Sequence, residues 1–302
     1  MSTARFSVII PTYQRPDSLR ATLQALSALQ PPRGGFEVIV VSDGGADDVE
    51  ALLAPFCSVL DLAILQQPHR GPAAARNAGA SRARGEYLAF TDDDCLPAAD
   101  WLCALDARLT PECAVGGASL NALPQNLYAA TSDLLLRYLF AYYNAEPALA
   151  QFLSTNNLAV SAARFQSVGG FALDFEHAAG EDREFCSRWR AHGYSLRFAP
   201  EIVVRHAHAL TAAAFWQQHL NYGRGAFHVR RAQARRAGAR IRFEPATFYW
   251  QLCRAPFKDE HGARAWQMAL LLLAVQCANA AGLALEFARA RNRRAARRPE
   301  VL

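Results

Sequence analysis

The chain has 302 residues, 52% of them apolar and 20% charged, and carries a net charge of +5. That length can bury a full core, and that balance excludes a disordered chain. Six arginines fall between Arg289 and Arg298, so the rest of the chain is close to neutral, which excludes a nucleic-acid binder with basic residues spread over one face.

In chain order, branched and aromatic runs at 6–10, 36–41, 60–65 and 87–90 predict strands. Helical apolar spacing predicts helices between and after them, at 18–29, 47–54, 73–83 and 100–109. This alternation predicts an α/β fold with a mostly parallel sheet flanked by helices, in which ligands sit beyond the carboxyl ends of the strands. From 111 to 210 the pattern is less regular, with helices at 130–143 and 181–192 and strands near 158–160, 196–198 and 202–204. A long helix is expected over 211–236.

Residues 266–287 predict a further helix, about 33 Å long at ~1.5 Å per residue and so close to one hydrocarbon thickness. Gln276, Asn279 and Glu286 share one face of it, which suits a helix packed on the domain or lying in a membrane interface better than a lone span. The arginines that follow would each contribute about 1 kcal/mol toward an anionic leaflet. A span would leave them on the side opposite the main domain, against the positive-inside preference.

The seven cysteines (57, 95, 103, 113, 186, 253, 277) form no C-x-x-C pair and are odd in number. That speaks against a zinc site and a disulfide framework and for a reducing compartment. The first apolar run ends at Pro11, too short and without the cleavage site of a signal peptide, so a cytoplasmic location is expected.

The unusual residues follow the strands. Thr91-Asp92-Asp93-Asp94 comes directly after the run at 87–90. Three adjacent carboxylates repel one another unless a cation or hydrogen-bond donors compensate. Oxygen ligands at a strand exit suit Mg²⁺ or Mn²⁺ bound together with substrate phosphates, and the bland alternative is a charged helix N-cap. After the first strand comes Pro11-Thr12-Tyr13-Gln14-Arg15, after the second Ser42-Asp43-Gly44-Gly45, and after the third Arg70-Gly71-Pro72, with Ala75-Arg76-Asn77 opening a helix. Each alone reads as turn chemistry. Four polar strand ends in succession point to a ligand crevice.

Together with Gly169-Gly170-Phe171, Gly180-Glu181-Asp182-Arg183-Glu184-Phe185 and Val203-Val204-Arg205-His206, these segments resemble the family 2 glycosyltransferases of GT-A fold, over about residues 5 to 225. The resemblance implies a catalytic domain binding a nucleotide sugar over 1–225 and a helical region over 226–302. It implies an inverting transfer of sugar from a nucleotide-diphosphate donor to an acceptor hydroxyl, on a lipid-linked or cell-envelope glycan, with Mn²⁺ or Mg²⁺. Pro11, Thr12, Arg15, Asp43, Arg76, Asp92 and Asp93 would line the donor site, with Asp43 on base or ribose. Asp94 and Asp92 would be the ends of the Asp-x-Asp motif, and His206 a further metal ligand, with His208 competing for that role. An imidazole ligand would tilt the choice toward Mn²⁺. Asp182, with Glu181 beside it, would take the acceptor proton. The family carries two acidic residues where this chain has Ser42-Asp43.

Two further groups are open to either of two roles. Arg224, in Tyr222-Gly223-Arg224-Gly225, reads as a clamp on the diphosphate or as a helix surface residue. Thr155-Asn156-Asn157 reads as an acceptor-side segment or a turn. Other functions fit less well. A sugar-1-phosphate nucleotidyltransferase would place a Gly-rich loop with Arg and Lys after the first strand, where this chain has Pro-Thr-Tyr-Gln-Arg. An inactive sugar-nucleotide-binding subunit would have lost the acidic motifs. A nucleic-acid binder acting through the Arg tail lacks aromatic or groove-reading elements.

Overall fold

Strand β1 (Phe6–Thr12) is buried along its whole length, and β2 (Phe36–Ser42) everywhere but at its ends. Strands covered on both faces belong to a sheet with helices on each side. The computed structural model describes residues 4–45, 48–174, 179–238 and 243–295. They form two compact units. The first comprises Met1–Pro124, Leu139–Asp174 and Asp182–His208, and the second Gln125–Tyr138, Phe175–Glu181 and Ala209–Leu302. The continuous run of the second unit thus starts at Ala209, whereas the sequence reading drew its boundary after 225.

The first unit holds the sheet. β1 pairs in parallel with β2 and with β4 (Tyr87–Phe90), and β2 pairs in parallel with β3 (Leu62–Gln66). The connecting segments contain α1 (Pro16–Ser27), α2 (Val49–Leu53) and α3 (Pro72–Arg82). Helix α1 turns Leu19, Leu23 and Leu26 inward, the spacing of a single helix face. Helix α3 lies so close to β1 that a Cβ on Gly79 would come within 2.6 Å of Ile9, so only glycine fits.

Past β4 the sheet becomes mixed. β4 pairs antiparallel with β7 (Leu158–Ser161), and β7 with β6 (Cys113–Asn121). β6 runs parallel to β8 (Ser195–His206), whose end pairs antiparallel with β5 (Cys95–Pro97). The order is β3-β2-β1-β4-β7-β6-β8-β5. Helices α4 (Trp101–Asp106), α6 (Ala162–Ser167) and α7 (Glu181–Ala191) complete the described elements assigned mainly to this unit, with the C-terminal part of α5 (Leu127–Tyr143).

Three expectations need correction. The two strands expected at 196–198 and 202–204 are one strand, β8, with a register shift at Gly117/Ala118 of β6 that leaves the segment around Pro200 out of the pairing. Proline has no N–H to give to a ladder, which is why the sequence looked broken there. Strands β5 and β6 were not foreseen. The helix expected at 47–54 is an α-helix only over Val49–Leu53 and continues as a 3-10 turn over Ala54–Phe56, while residues 46–47 lie outside the described residues.

The second unit is helical. Helix α8 (Ala212–Ala237) starts on Thr211, whose hydroxyl accepts from the Ala214 N–H at 3.2 Å. It is followed by α9 (Ala246–Arg254), α10 (Pro256–Asp259) and α11 (Gly262–Ala295). α11 is longer than the helix expected at 266–287. It crosses α8 almost backbone to backbone: a Cβ on Gly223 would lie 2.1 Å from the Asn279 carbonyl oxygen, and one on Gly282 2.1 Å from that of Leu220. Glu286 is buried beside His228, 3.3 Å away, and Arg289, 2.9 Å away. The polar face noted in the sequence is therefore the packed face. The tail arginines from 297 on lie outside the described residues.

Candidate active site

The carboxyl ends of β1, β2 and β4 are adjacent in the parallel half of the sheet, so the residues that follow them share one edge of the first unit. Thr12 ends β1, and its hydroxyl donates to Asp93 Oδ2 at 2.8 Å. Gln14 then takes a positive φ of 53°. This sharp turn precedes Arg15, whose guanidinium reaches Asp94 Oδ2 at 2.9 Å and Asp93 Oδ1 at 3.3 Å. A small pocket with room for about one water opens here, lined by Thr12, Gln14, Arg15, Ser42, Gly44 and Gly45 among others.

The three consecutive aspartates point to three different sets of partners. Asp92 receives the buried Arg76 guanidinium from α3 at 2.6 Å. Asp93 faces inward, held by Thr12 and Arg15, while its own carbonyl accepts from Thr22 at 2.9 Å. Burial pushes its carboxyl up to about 6, against the pull of Arg15. It ties strand exits together and is only 4% exposed. Asp94 receives Arg15 together with His206 Nε2 at 3.0 Å and His208 Nδ1 at 2.9 Å. Burial alone would raise its carboxyl, but the two imidazoles and Arg15 hold it well below the usual range. Side chains already supply the compensation that the sequence reading sought in a cation.

His206 and His208 are two residues apart at the end of β8, and so present their rings on one side, 5.3 Å apart and parallel within 5°. Both meet Asp94. Burial would lower the His206 ring, but Asp94 raises it. The ligand atoms of Asp94, Cys95 and His206 lie within 4.8 Å of one another. Burial, followed by the charges of Asp92 and Asp94, pushes the fully buried Cys95 thiol well up. Asp94 and His206 supply a carboxylate and an imidazole, donors that fit Mn²⁺ and accept Mg²⁺, and His208 meets the same carboxylate.

Asp43 follows β2 and is 3% exposed. Oδ1 accepts from Gln67 Nε2 at 2.6 Å and from the Arg70 N–H at 2.9 Å, while Oδ2 accepts from the Gly71 N–H at 2.7 Å and lies 3.0 Å from His69 Nδ1. The three N–H donors fill three of the roughly four acceptor positions of the carboxylate, while the His69 ring nitrogen bonds the Asp43 backbone carbonyl at 3.0 Å. Gly44 is required beside it: its φ is +86°, and a Cβ would press on the His69 backbone at 3.0 Å. His69 also carries Tyr13, stacked on it at 4.2 Å with a face left exposed. Sequence reasoning named neither His69 nor Gln67, since both lie more than twenty residues from Asp43 in an ordinary loop.

The remaining expected residues are placed as follows. Pro11 is buried within β1. Asp182 stands in the first turn of α7, half-buried, and accepts from the Arg183 N–H at 2.7 Å. Glu181 and Arg224 belong to the second unit, where Arg224 reaches Asn221 at 3.4 Å. Thr155–Asn157 is a buried 3-10 turn. Asn157 holds the Ala118 and Ile202 carbonyls at 3.0 and 2.9 Å and accepts from Trp101 at 2.9 Å, so it is a structural hub.

Residues 7–133 match the family described as Glycosyl transferase family 2, and residues 106–285 match Glycosyl transferase family group 2. The chain belongs to the family 2 glycosyltransferases. It is 29% identical over 208 residues to glycosyltransferase AglE of Haloferax volcanii, covering 66% of each chain. It is 29% identical over 211 residues to the pre-mycofactocin glycosyltransferase of Mycobacterium tuberculosis, covering 67% of this chain and 42% of that one. The alignments thus span 42% to 66% of these relatives' lengths.

In fold, this glycosyltransferase is similar to the mannosyltransferase PcManGT of Pyrobaculum calidifontis, solved with GDP-Man and Mn²⁺. The TM-score is 0.63 at 18% identity, covering 91% of this chain and 86% of that one. TarS 1-349 of S. aureus, solved with UDP-GlcNAc, gives 0.52 at 16% identity, covering 95% and 92%. The sheet is the mixed sheet of the GT-A fold.

Proposed function

We propose that this glycosyltransferase moves a sugar from a nucleotide-diphosphate donor to an acceptor hydroxyl, with inversion at the anomeric carbon. The observation that carries the reading is Asp94, kept anionic at the strand edge by two imidazoles and Arg15. Similar proteins solved with GDP-Man and Mn²⁺ or with UDP-GlcNAc support the donor class.

In this reading Tyr13 offers its exposed face to the base, and Asp43 accepts a donor from base or ribose. Asp92, steadied by Arg76, takes the ribose side, and Arg15 turns from the aspartates to the diphosphate. Asp94 and His206, with Asp92 or His208 as a further ligand, would hold Mn²⁺ or Mg²⁺, and the ion would supply positive charge against the departing diphosphate. Asp182 accepts the proton of the acceptor hydroxyl while the acceptor oxygen bonds to the anomeric carbon. The bond to the phosphate oxygen breaks, its electrons leaving with the nucleoside diphosphate. Glu181 sets the position of Asp182 from the preceding residue. A cytoplasmic location agrees with seven free cysteines, and a lipid-linked or cell-envelope glycan is the acceptor class that membrane contact would favour.

The test is to incubate the purified chain with a panel of nucleotide sugars and Mn²⁺ and follow release of nucleoside diphosphate. Metal-dependent release that Asp94→Asn abolishes is the expected result. Binding of a nucleotide sugar with no release or transfer under any condition would leave the inactive-subunit reading standing instead.

A further inference from the structure

Three groups close on the Asp94 carboxylate, and they differ in what they can do beside a metal ion. His206 Nε2 lies 3.0 Å from Oδ1, and His208 Nδ1 lies 2.9 Å from Oδ2. A neutral imidazole carries a nitrogen lone pair, so each ring can turn from a partner of Asp94 into a fellow ligand. Arg15 Nη1 lies 2.9 Å from Asp94 Oδ2 and 3.3 Å from Asp93 Oδ1. A guanidinium has donors, no acceptor and a permanent charge, so it can only compete with a cation for that oxygen.

The two guanidiniums on the aspartate run are held differently. Arg76 is 5% exposed against Asp92 and is locked in the interior. Arg15 is 44% exposed and stands on the turn between β1 and α1, so its side chain has solvent to swing into. Both of its contacts come from the single nitrogen Nη1, one oxygen from each aspartate, so neither carboxylate engages the two-pronged face of the guanidinium. A diphosphate offers that face two charged oxygens at once, the stronger arrangement. Asp94 is 4% exposed, and the oxygen that Arg15 holds already accepts from His208, so a cation gains that oxygen when Arg15 leaves it.

We propose that Arg15 is a latch on the metal site. In the nucleotide-free chain it holds the Asp94 oxygen and weakens the binding of a divalent cation. A nucleoside diphosphate draws the guanidinium onto its phosphates and frees that oxygen, so the donor goes on first and the metal follows. The inference rests on the donor and metal reading above and adds to it an order of binding. A diphosphate and a metal ion help each other wherever they touch. Here a second share of that help comes from Arg15, and linkage makes it equal in both directions. Removing Arg15 therefore acts with opposite sign on the two ligands taken singly: the metal alone binds more tightly and the nucleotide alone more weakly. A residue that merely props up the site weakens both.

The experiment is titration calorimetry on the full chain with Mn²⁺ alone, with UDP and GDP in turn, and with Mn²⁺ after saturation by whichever nucleotide binds. Arg15→Gln should tighten Mn²⁺ alone about tenfold, weaken the nucleotide alone about tenfold, and shrink the factor by which the nucleotide tightens Mn²⁺. Arg15→Lys keeps the charge and should stay near the wild type for Mn²⁺ alone. It should lose nucleotide affinity, because an ammonium cannot make the two-pronged contact. Circular dichroism establishes that each variant is folded, and Arg15→Met, which keeps an apolar stem without the charge, replaces the Gln variant if that one does not fold. Mn²⁺ alone binding the uncharged variant no more tightly than the wild type overturns the latch, while the metal reading stands so long as Mn²⁺ still binds the wild type. Absence of Mn²⁺ binding to the wild type with UDP and with GDP overturns both the latch and the metal reading.

Discussion

Asn77 and Phe171 exchange two hydrogen bonds across 94 residues of sequence: the side-chain amide donates to the Phe171 carbonyl at 2.8 Å, and its oxygen accepts from the Phe171 N–H at 2.8 Å. The pair clamps α3 to the loop before α7, and Gly170 is required beside it, because a Cβ there would lie 2.7 Å from the Asn77 oxygen. Asn77→Ala should lower stability by about 2 kcal/mol by leaving both backbone groups unpaired. Chemical denaturation checks this. Nucleotide affinity of the folded fraction should be nearly unchanged, and a large loss of affinity at full stability would contradict the structural role.

Asp94→Asn should remove the thermal stabilisation that Mn²⁺ gives the wild type and abolish turnover. His206→Ala and His208→Ala should each weaken Mn²⁺ by about tenfold or more, since both rings meet the same carboxylate. Titration calorimetry with the metal alone reads this. If one imidazole can be removed without effect, that ring is only a packing partner of the other.

Asp182→Asn should reduce kcat by roughly 10²–10⁴-fold with little change in donor KM. Product analysis should give the anomeric configuration opposite to the donor's. Retention would rule out single displacement whatever the mutant does.

His219 lies in α8 at 1% exposure, with Ser132 Oγ 3.3 Å from Nε2 and with Phe215 and Tyr222 against its ring. Burial pushes its imidazole down to about 4, from 6.5 for a free ring. Between those values the unfolded chain binds a proton that the folded one does not. Stability therefore falls as pH drops through that window, by about 3 kcal/mol in full. His219→Phe should flatten the acid limb of a plot of Tm against pH. An unchanged limb would mean that other groups set the acid sensitivity.

The parallel half of the fold was legible because β4 is an unbroken apolar run and β1 and β2 are interrupted inside only by Ser7 and Glu37, which bond each other, as strands buried on both faces allow. β6 was hidden by its own packing requirement. Gly117 stands where a Cβ would come within 1.9 Å of the Ile202 carbonyl, so the strand must carry the glycines that make it read as a loop. The aspartates were legible because adjacent carboxylates are rare without a purpose. Their division of labour was not, because Asp93 differs from Asp94 only in which way its side chain turns. The partners of Asp43 were invisible for a related reason: two come from backbone N–H groups, which every residue carries.

The glycine crossing of α8 and α11 has a consequence for handling the protein. With Gly223 and Gly282 each against a carbonyl of the other helix, α11 cannot roll by even one residue, since Ala281 or Leu283 in place of Gly282 would drive a methyl or larger group into the Leu220 backbone. The chain therefore has no way to conceal the exposed Trp266, Leu270, Leu273 and Phe287 on the outer face of α11 by local rearrangement. A preparation in which that face is uncovered should be sticky whenever it is folded, and dilution or mild detergent should rescue it where refolding does not.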